Sequence, residues 1–225
     1  MEKPIVTLTG VVKKFPTGEG SFTALKDINL TVTKGEFTGF VGPSGSGKTT
    51  LLNLIGSLDI PTEGSAVVLG KSVAELNQNH FLGFIFQTYN LLPVYTVFEN
   101  VELPLLLQKI PADQRRKLVM QSLEWVGLTD KINSRPAQLS GGESQRVSIA
   151  RAMVKKPRMV LADEPTANLD AKNSHNILQT MEQLNEELNT TFIFATHDEK
   201  VIQYLRRKIS LEDGKIVRDE TRQPA

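Results

Sequence analysis

The run EFTGFVGPSGSGKTTLLNLIGS, residues 36–57, allows few folds. A continuous apolar stretch enters a glycine-rich loop, and Leu51, Leu52, Leu54 and Ile55 then follow at helical spacing. Buried strand, tight loop and helix in that order begin an open α/β sheet. Gly42, Gly45, Gly47, Lys48 and Thr49 fit the pattern G-x4-G-K-[ST]. Glycines let backbone N–H groups converge on phosphates, the lysine reaches the terminal phosphates, and the threonine hydroxyl suits Mg²⁺. A tight turn with a surface lysine is the plainer alternative.

LSGGESQR, residues 139–146, opens a second good helix-forming stretch, read from Glu143 onward. Ser140-x-x-Glu143 is a capping box. A box needs no glycine, so Gly141 and Gly142 point to a second anion cradle at a helix N-terminus. The bland reading is a well-capped helix.

MVLADEP and TFIFATH are apolar runs ending in charged residues, the pattern of buried parallel strands. Ligands of such sheets bind beyond the strand C-termini. Asp163 is therefore expected on Mg²⁺ and Glu164 on the attacking water, against the alternative that both cap a helix. His197 is expected near the terminal phosphate, where a lone histidine otherwise reads as structural. Gln87 ends FLGFIF and can touch metal or water. His80 and His175 lie in polar stretches and read as structural, while the runs Arg115-Arg116-Lys117 and Arg206-Arg207-Lys208 read as solvated faces.

Ile28, Leu30 and Val32 alternate with polar residues as in a half-buried strand, and ISLEDGKIV reads as a hairpin turning at Asp213-Gly214. With no repeat or linker, the 225 residues read as one domain. It is a strand–helix core with a mainly helical insert at about 91–156. Basic and acidic residues number 26 and 25, so no global field argues for nucleic acid. Cysteine is absent, which removes disulfides and thiolate metal sites. MEKPIVTLTG lacks the apolar core of a secretion signal, and no run approaches the about 20 apolar residues of a membrane span. A soluble cytosolic chain is expected, with any spanning part supplied by another protein.

The motifs GPSGSGKTT, Gln87, LSGGE, MVLADEP, NLD (168–170) and His197 come in the order of an ABC transporter nucleotide-binding subunit, which the chain resembles from end to end. The resemblance implies a P-loop NTPase of ABC type. Its mostly parallel sheet would carry an N-terminal antiparallel β part and the helical insert. It implies ATP and Mg²⁺, with Gly42, Pro43, Ser44, Gly45, Ser46, Gly47, Lys48, Thr49 and Thr50 around the phosphates and Phe15 stacked on adenine. Phe22 is the substitute for Phe15. Lys48, Glu164, His197 and Gln87 would act in catalysis, and Thr49, Gln87 and Asp163 on the metal. Ser140, Gly141 and Gly142 would serve the nucleotide of a partner copy in an ATP-dependent, head-to-tail homodimer, and Asp170 of NLD would also bind nucleotide.

GFIFQTYNLLPVYTVFENVELPLLL and ADEPTANLD resemble most the lipoprotein-releasing and macrolide-export ATPases, with the cell-division ATPase near. Glu143 stands where glutamine is commoner in the superfamily. An integral membrane permease partner follows, gripped around Gln87, Tyr89, Leu91 and Leu92, with the chain peripheral at the cytoplasmic face of the inner membrane. A soluble iron–sulfur assembly ATPase is the alternative without transport. A DNA-repair ATPase would need long coiled coils between the glycine loop and LSGGE, and no sustained heptads occur there.

Overall fold

The computed structural model describes residues 4–18, 20–75 and 81–222, so His80 lies outside the described residues. The chain forms two compact units, one of Met1–Gln78 with Thr191–Ala225 and one of Asn79–Thr190.

In the first unit, β1 (Pro4–Thr17) and β2 (Gly20–Thr33) pair antiparallel. Ile28, Leu30 and Val32 are buried, as their alternation predicts. β4 (Glu63–Val68) and β5 (Lys71–Ser72) complete this sheet in the order β2-β1-β4-β5. The strand that feeds the glycine loop is β3 (Phe37–Val41). It runs parallel to β8 (Thr191–Thr196) and to β9 (Arg207–Glu212). Both faces are covered, which is why β3 and β8 read as unbroken apolar runs. Phe37 packs on Phe192 and Phe194 at centroid distances of 5.6 and 4.8 Å. β10 (Lys215–Thr221) closes a hairpin on β9, with Asp213 and Gly214 left-handed at φ 46° and 78°. The helix α1 (Lys48–Ile55) follows the glycine loop and buries Leu51, Leu52, Leu54 and Ile55. The short α6 (Glu199–Ile202) follows β8.

In the second unit, β6 (Leu82–Ile85) and β7 (Met159–Asp163) form a parallel pair. Its helices are α2 (Val97–Leu107), α3 (Ala112–Trp125), α4 (Gly141–Met153) and α5 (Ala171–Leu188). Segment 91–156 falls inside this unit, which also holds both strands and α5.

Two expectations need correction. The helix read from Glu143 onward begins at Gly141, because Ser140 is its N-cap and both glycines occupy the first turn. The basic runs are not uniformly solvated. Arg115 pairs with Glu102 at 2.7 Å, and Arg207 with Glu36 and Asp219 at 2.9 and 2.7 Å. Each guanidinium sits half-buried where its fork meets a carboxylate and a nearby carbonyl, of Ile110 and Thr31 respectively.

Candidate active site

In the first unit, the glycine loop is moulded by backbone on both sides. A Cβ on Gly42 would collide with the Leu211 carbonyl oxygen, and one on Gly47 would stand 2.9 Å from that of Ala24. A Cβ on Gly45 meets nothing within 4 Å, so that face is open, though its φ of 81° still favours glycine. The Ser46 carbonyl accepts the Gly214 N–H at 3.1 Å. The Ser46 hydroxyl is buried without a hydrogen-bond partner. The Lys48 ammonium donates to the Gly42 and Pro43 carbonyls at 2.8 Å each, which folds the buried lysine along the loop. α1 begins at Lys48 with Gly47 as N-cap and no side-chain cap hydrogen bond, so its first-turn N–H groups face the loop. Pro43, Ser44 and Thr49 are exposed, and Thr50 is half-buried.

Phe15, 37% exposed on β1, stands opposite Phe22, which is 58% exposed. The Lys13 ammonium lies 5.0 Å from the Phe15 ring centroid. His197 follows β8 and is exposed.

In the second unit, Asp163 ends β7 and Glu164 follows with φ 45°, a left-handed conformation that a side chain adopts at a cost. Gln87 is exposed just beyond β6. Its carbonyl accepts from Asn168 Nδ2 at 2.8 Å. Tyr89 and Asn90 are also left-handed, at φ 57° and 50°. Their carbonyls are gripped by one guanidinium, Arg151 on α4, at 2.6 and 2.5 Å. Asp170 is the N-cap of α5. Its carboxylate accepts the Asn173 backbone N–H at 2.9 Å and the Asn173 amide at 2.6 Å. The backbone hydrogen bond from Asn173 holds its pKa below the ordinary value.

At the mouth of α4 the capping box is complete: Ser140 Oγ accepts the Glu143 N–H at 3.2 Å, and Glu143 Oε2 accepts the Ser140 N–H at 2.8 Å. That backbone hydrogen bond lowers the Glu143 pKa. Within the first turn, the box leaves the Gly141 and Gly142 N–H groups for acceptors outside the helix. A steric demand also acts here. A Cβ on Gly141 would come 3.2 Å from the Tyr89 hydroxyl, and one on Gly142 would meet Asn173 Oδ1 at 2.6 Å. The LSGGE turn at the mouth of α4 (the signature turn), the loop after Gln87 and the segment Asn168–Asn173 thus touch one another within this unit.

Gln145, Arg151 and Asn173 shape the loops of this unit, and sequence reasoning passed over all three. Each acts through a contact distant in sequence, so no local pattern marks it.

A sequence profile described as ABC transporter matches residues 25–167. The chain is 45% identical over 224 residues to an uncharacterized ABC transporter ATP-binding protein, YvrO, of Bacillus subtilis, covering 96% of this chain and 97% of that one. It is 44% identical over 223 residues to the macrolide export ATP-binding/permease protein MacB 1/2 of Paracoccus denitrificans. That match covers 96% of this chain but 33% of the relative, so the chain spans about a third of that longer protein. The lipoprotein-releasing system ATP-binding protein LolD of Geobacter metallireducens is 41% identical over 222 residues, covering 96% of this chain and 99% of that one. Among solved structures, the dimeric post-hydrolysis state of the ATP-binding cassette MJ0796 of Methanocaldococcus jannaschii, bound to ADP and Pi, superposes with a TM-score of 0.88. It is 41% identical and covers 98% of this chain and 100% of that one. A profile that takes in the glycine loop, the signature turn and the β7 carboxylates together settles the family: the chain belongs to the ABC transporters, as one of their ATPase subunits.

Proposed function

We propose that two copies of this chain close head to tail on two Mg·ATP and drive a separate membrane permease of the macrolide-export or lipoprotein-release type. The whole chain then acts as one nucleotide-binding domain, with the insert at about 91–156 passing motion to the permease. The carrying observation is the pair of glycine-led helix N-termini, α1 and α4, whose first-turn N–H groups point out of the helix toward the glycine loop and the LSGGE turn. The dimer of the M. jannaschii relative, with its ADP and Pi, supports the same reading.

Each residue has a part in this reading. Gly42–Thr50 wrap the phosphates, with Lys48 neutralising charge, and Phe15 stacks on adenine. Glu164 orients and deprotonates the attacking water, and His197 hydrogen-bonds the terminal phosphate. Ser140, Gly141 and Gly142 clamp the partner copy's nucleotide. The Ser140 hydroxyl accepts from Glu143 and keeps its own proton to donate. Asp170 fixes the start of α5 beside that clamp. Mg²⁺ fits the donors present. Among the described residues no group of three or more His, Cys, Asp and Glu side chains forms a metal cage. Mg²⁺ prefers one or two carboxylates plus phosphate oxygens. Thr49, Gln87 and Asp163 would hold it, and it would neutralise developing phosphate charge.

No helix among the described residues is long and apolar enough to cross a membrane. Peripheral attachment at the cytoplasmic face of the inner membrane follows from docking on the permease. The loop before α2 supports such docking. Asn100, buried, bonds the Leu92 N–H and carbonyl and the carbonyls of Tyr95 and Thr96, which satisfies the loop's backbone. Leu92, Val94 and Tyr95 are left 38, 72 and 37% exposed. A cleft of about 250 Å³ opens nearby, lined by Phe84, Phe86, Asn90, Pro104 and Arg151 among others.

The test is Glu164→Gln. It should keep ATP binding, slow hydrolysis on the order of 10²–10⁴-fold, and accumulate an ATP-bound dimer on size-exclusion chromatography. Wild-type turnover in this variant removes Glu164 from the mechanism.

A further inference from the structure

Gln145 lies on α4, one turn beyond Gly141 and Gly142, and is fully buried. Its Nε2 donates to the Pro165 carbonyl at 2.7 Å. Its Oε1 is buried with no hydrogen-bond partner. A buried amide satisfied at one end only is a liability that an apolar side chain of like size would not carry. The amide's one hydrogen bond is to the Pro165 carbonyl.

That bond falls where it controls the preceding residue. β7 ends at Asp163, and Glu164 follows in the left-handed region with φ 45°. The Pro165 ring fixes its own φ, and a pinned carbonyl fixes its ψ as well. The chain beyond is closed by the Ala167 N–H to the Glu164 carbonyl at 3.2 Å and the Leu169 N–H to the Thr166 carbonyl at 3.0 Å. In this turn, the Gln145 amide links the Pro165 carbonyl to α4.

We propose that Gln145 is a positioning residue for Glu164, tying α4 to the turn that carries this carboxylate. It does not touch the reacting atoms. A shift of α4, whose N-terminus is the signature turn, is thereby felt at the Glu164 of the same chain. The inference rests on reading Glu164 as the group that orients water.

The test uses the full chain and steady-state phosphate release. Gln145→Met keeps the volume and removes the amide, with Gln145→Leu as a second shape should one of them fail to fold. Melting temperature should change little, since losing the orphan Oε1 offsets leaving the Pro165 carbonyl without its donor. The KM for ATP should stay within about twofold, while kcat falls on the order of 10- to 100-fold, the scale of a displaced catalytic group. In a Glu164→Gln background the same change should cost nothing further, because its effect passes through Glu164. Unchanged kcat in the otherwise wild-type chain, or equal slowing in both backgrounds, overturns the proposal. Full turnover by Glu164→Gln alone overturns the reading of Glu164 as well, so the two failures are told apart.

Discussion

A Cβ built on Gly142 would stand 2.6 Å from Asn173 Oδ1, and Asp170 holds Asn173 in that place. The second glycine of the signature turn therefore answers to a neighbour in its own chain, besides the partner's phosphate proposed for it. Gly142→Ala should lose about 1–3 kcal/mol of stability by overpacking. Adding Asn173→Ala should restore the melting temperature. If Gly142 also clamps a partner's nucleotide, ATP-dependent dimers should stay weak in the double variant. They should return when it is mixed with Lys48→Ala chains, since one composite site is then intact. Dimers returning with the melting temperature alone would leave Gly142 a steric role only.

Arg151 grips two consecutive left-handed residues by their carbonyls. Hydrogen bonds from a charged donor contribute about 1.5–3 kcal/mol each. Arg151→Met should loosen the loop after β6, so amide hydrogen exchange across residues 87–92 should quicken by roughly tenfold or more. Arg151→Lys, lacking the fork, should rescue little. Unaltered protection there would show that the loop holds its shape without the guanidinium.

Leu92→Asp with Val94→Asp should leave ATP binding and turnover of the isolated chain near wild type and abolish co-purification with the permease. Val94, at 72% exposure, contributes little to the core. Leu91 is half-buried and is left unchanged. A permease complex that survives both charges would place the docking surface elsewhere.

The first turns of α2, α4 and α5 are capped by carboxylates. Glu99, Glu143 and Asp170 have lowered pKa values, chiefly through backbone hydrogen bonds from Thr96, Ser140 and Asn173. A depressed carboxylate contributes stability above its unfolded pKa and loses it as pH falls through the folded value. The first turns of α2, α4 and α5 should fray on acidification, seen as faster amide exchange. Glu143→Gln, whose amide oxygen can still accept the Ser140 N–H, should remove that pH dependence at α4. An unchanged acid response in this variant would assign the fraying to another group.

Periodicity and motif spacing sufficed where the determinants are local. Phe37–Val41 entering glycines, Ser140-x-x-Glu143 and Asp213-Gly214 each fix their own element. The position of Asp163 and Glu164 at a strand end was legible for the same reason. What stayed hidden depends on residues meeting across long separations. A side chain at Gly142 would meet Asn173, and Gln145 reaches from α4 to Pro165 in the turn after β7. Arg115 and Arg207 looked like members of solvated runs until the fold brought Glu102, Glu36 and Asp219 to them.

The glycine loop lies between the Ala24 carbonyl and the backbone of Leu211 and Gly214, one strand laid down before it and one hairpin made long after. A ribosome adding about 5–20 residues per second needs on the order of 10 to 30 s to pass from Gly47 to Leu211. Throughout that interval the nascent loop has only one of its two supporting walls. The loop thus gains its second wall only once synthesis has passed the β9–β10 hairpin.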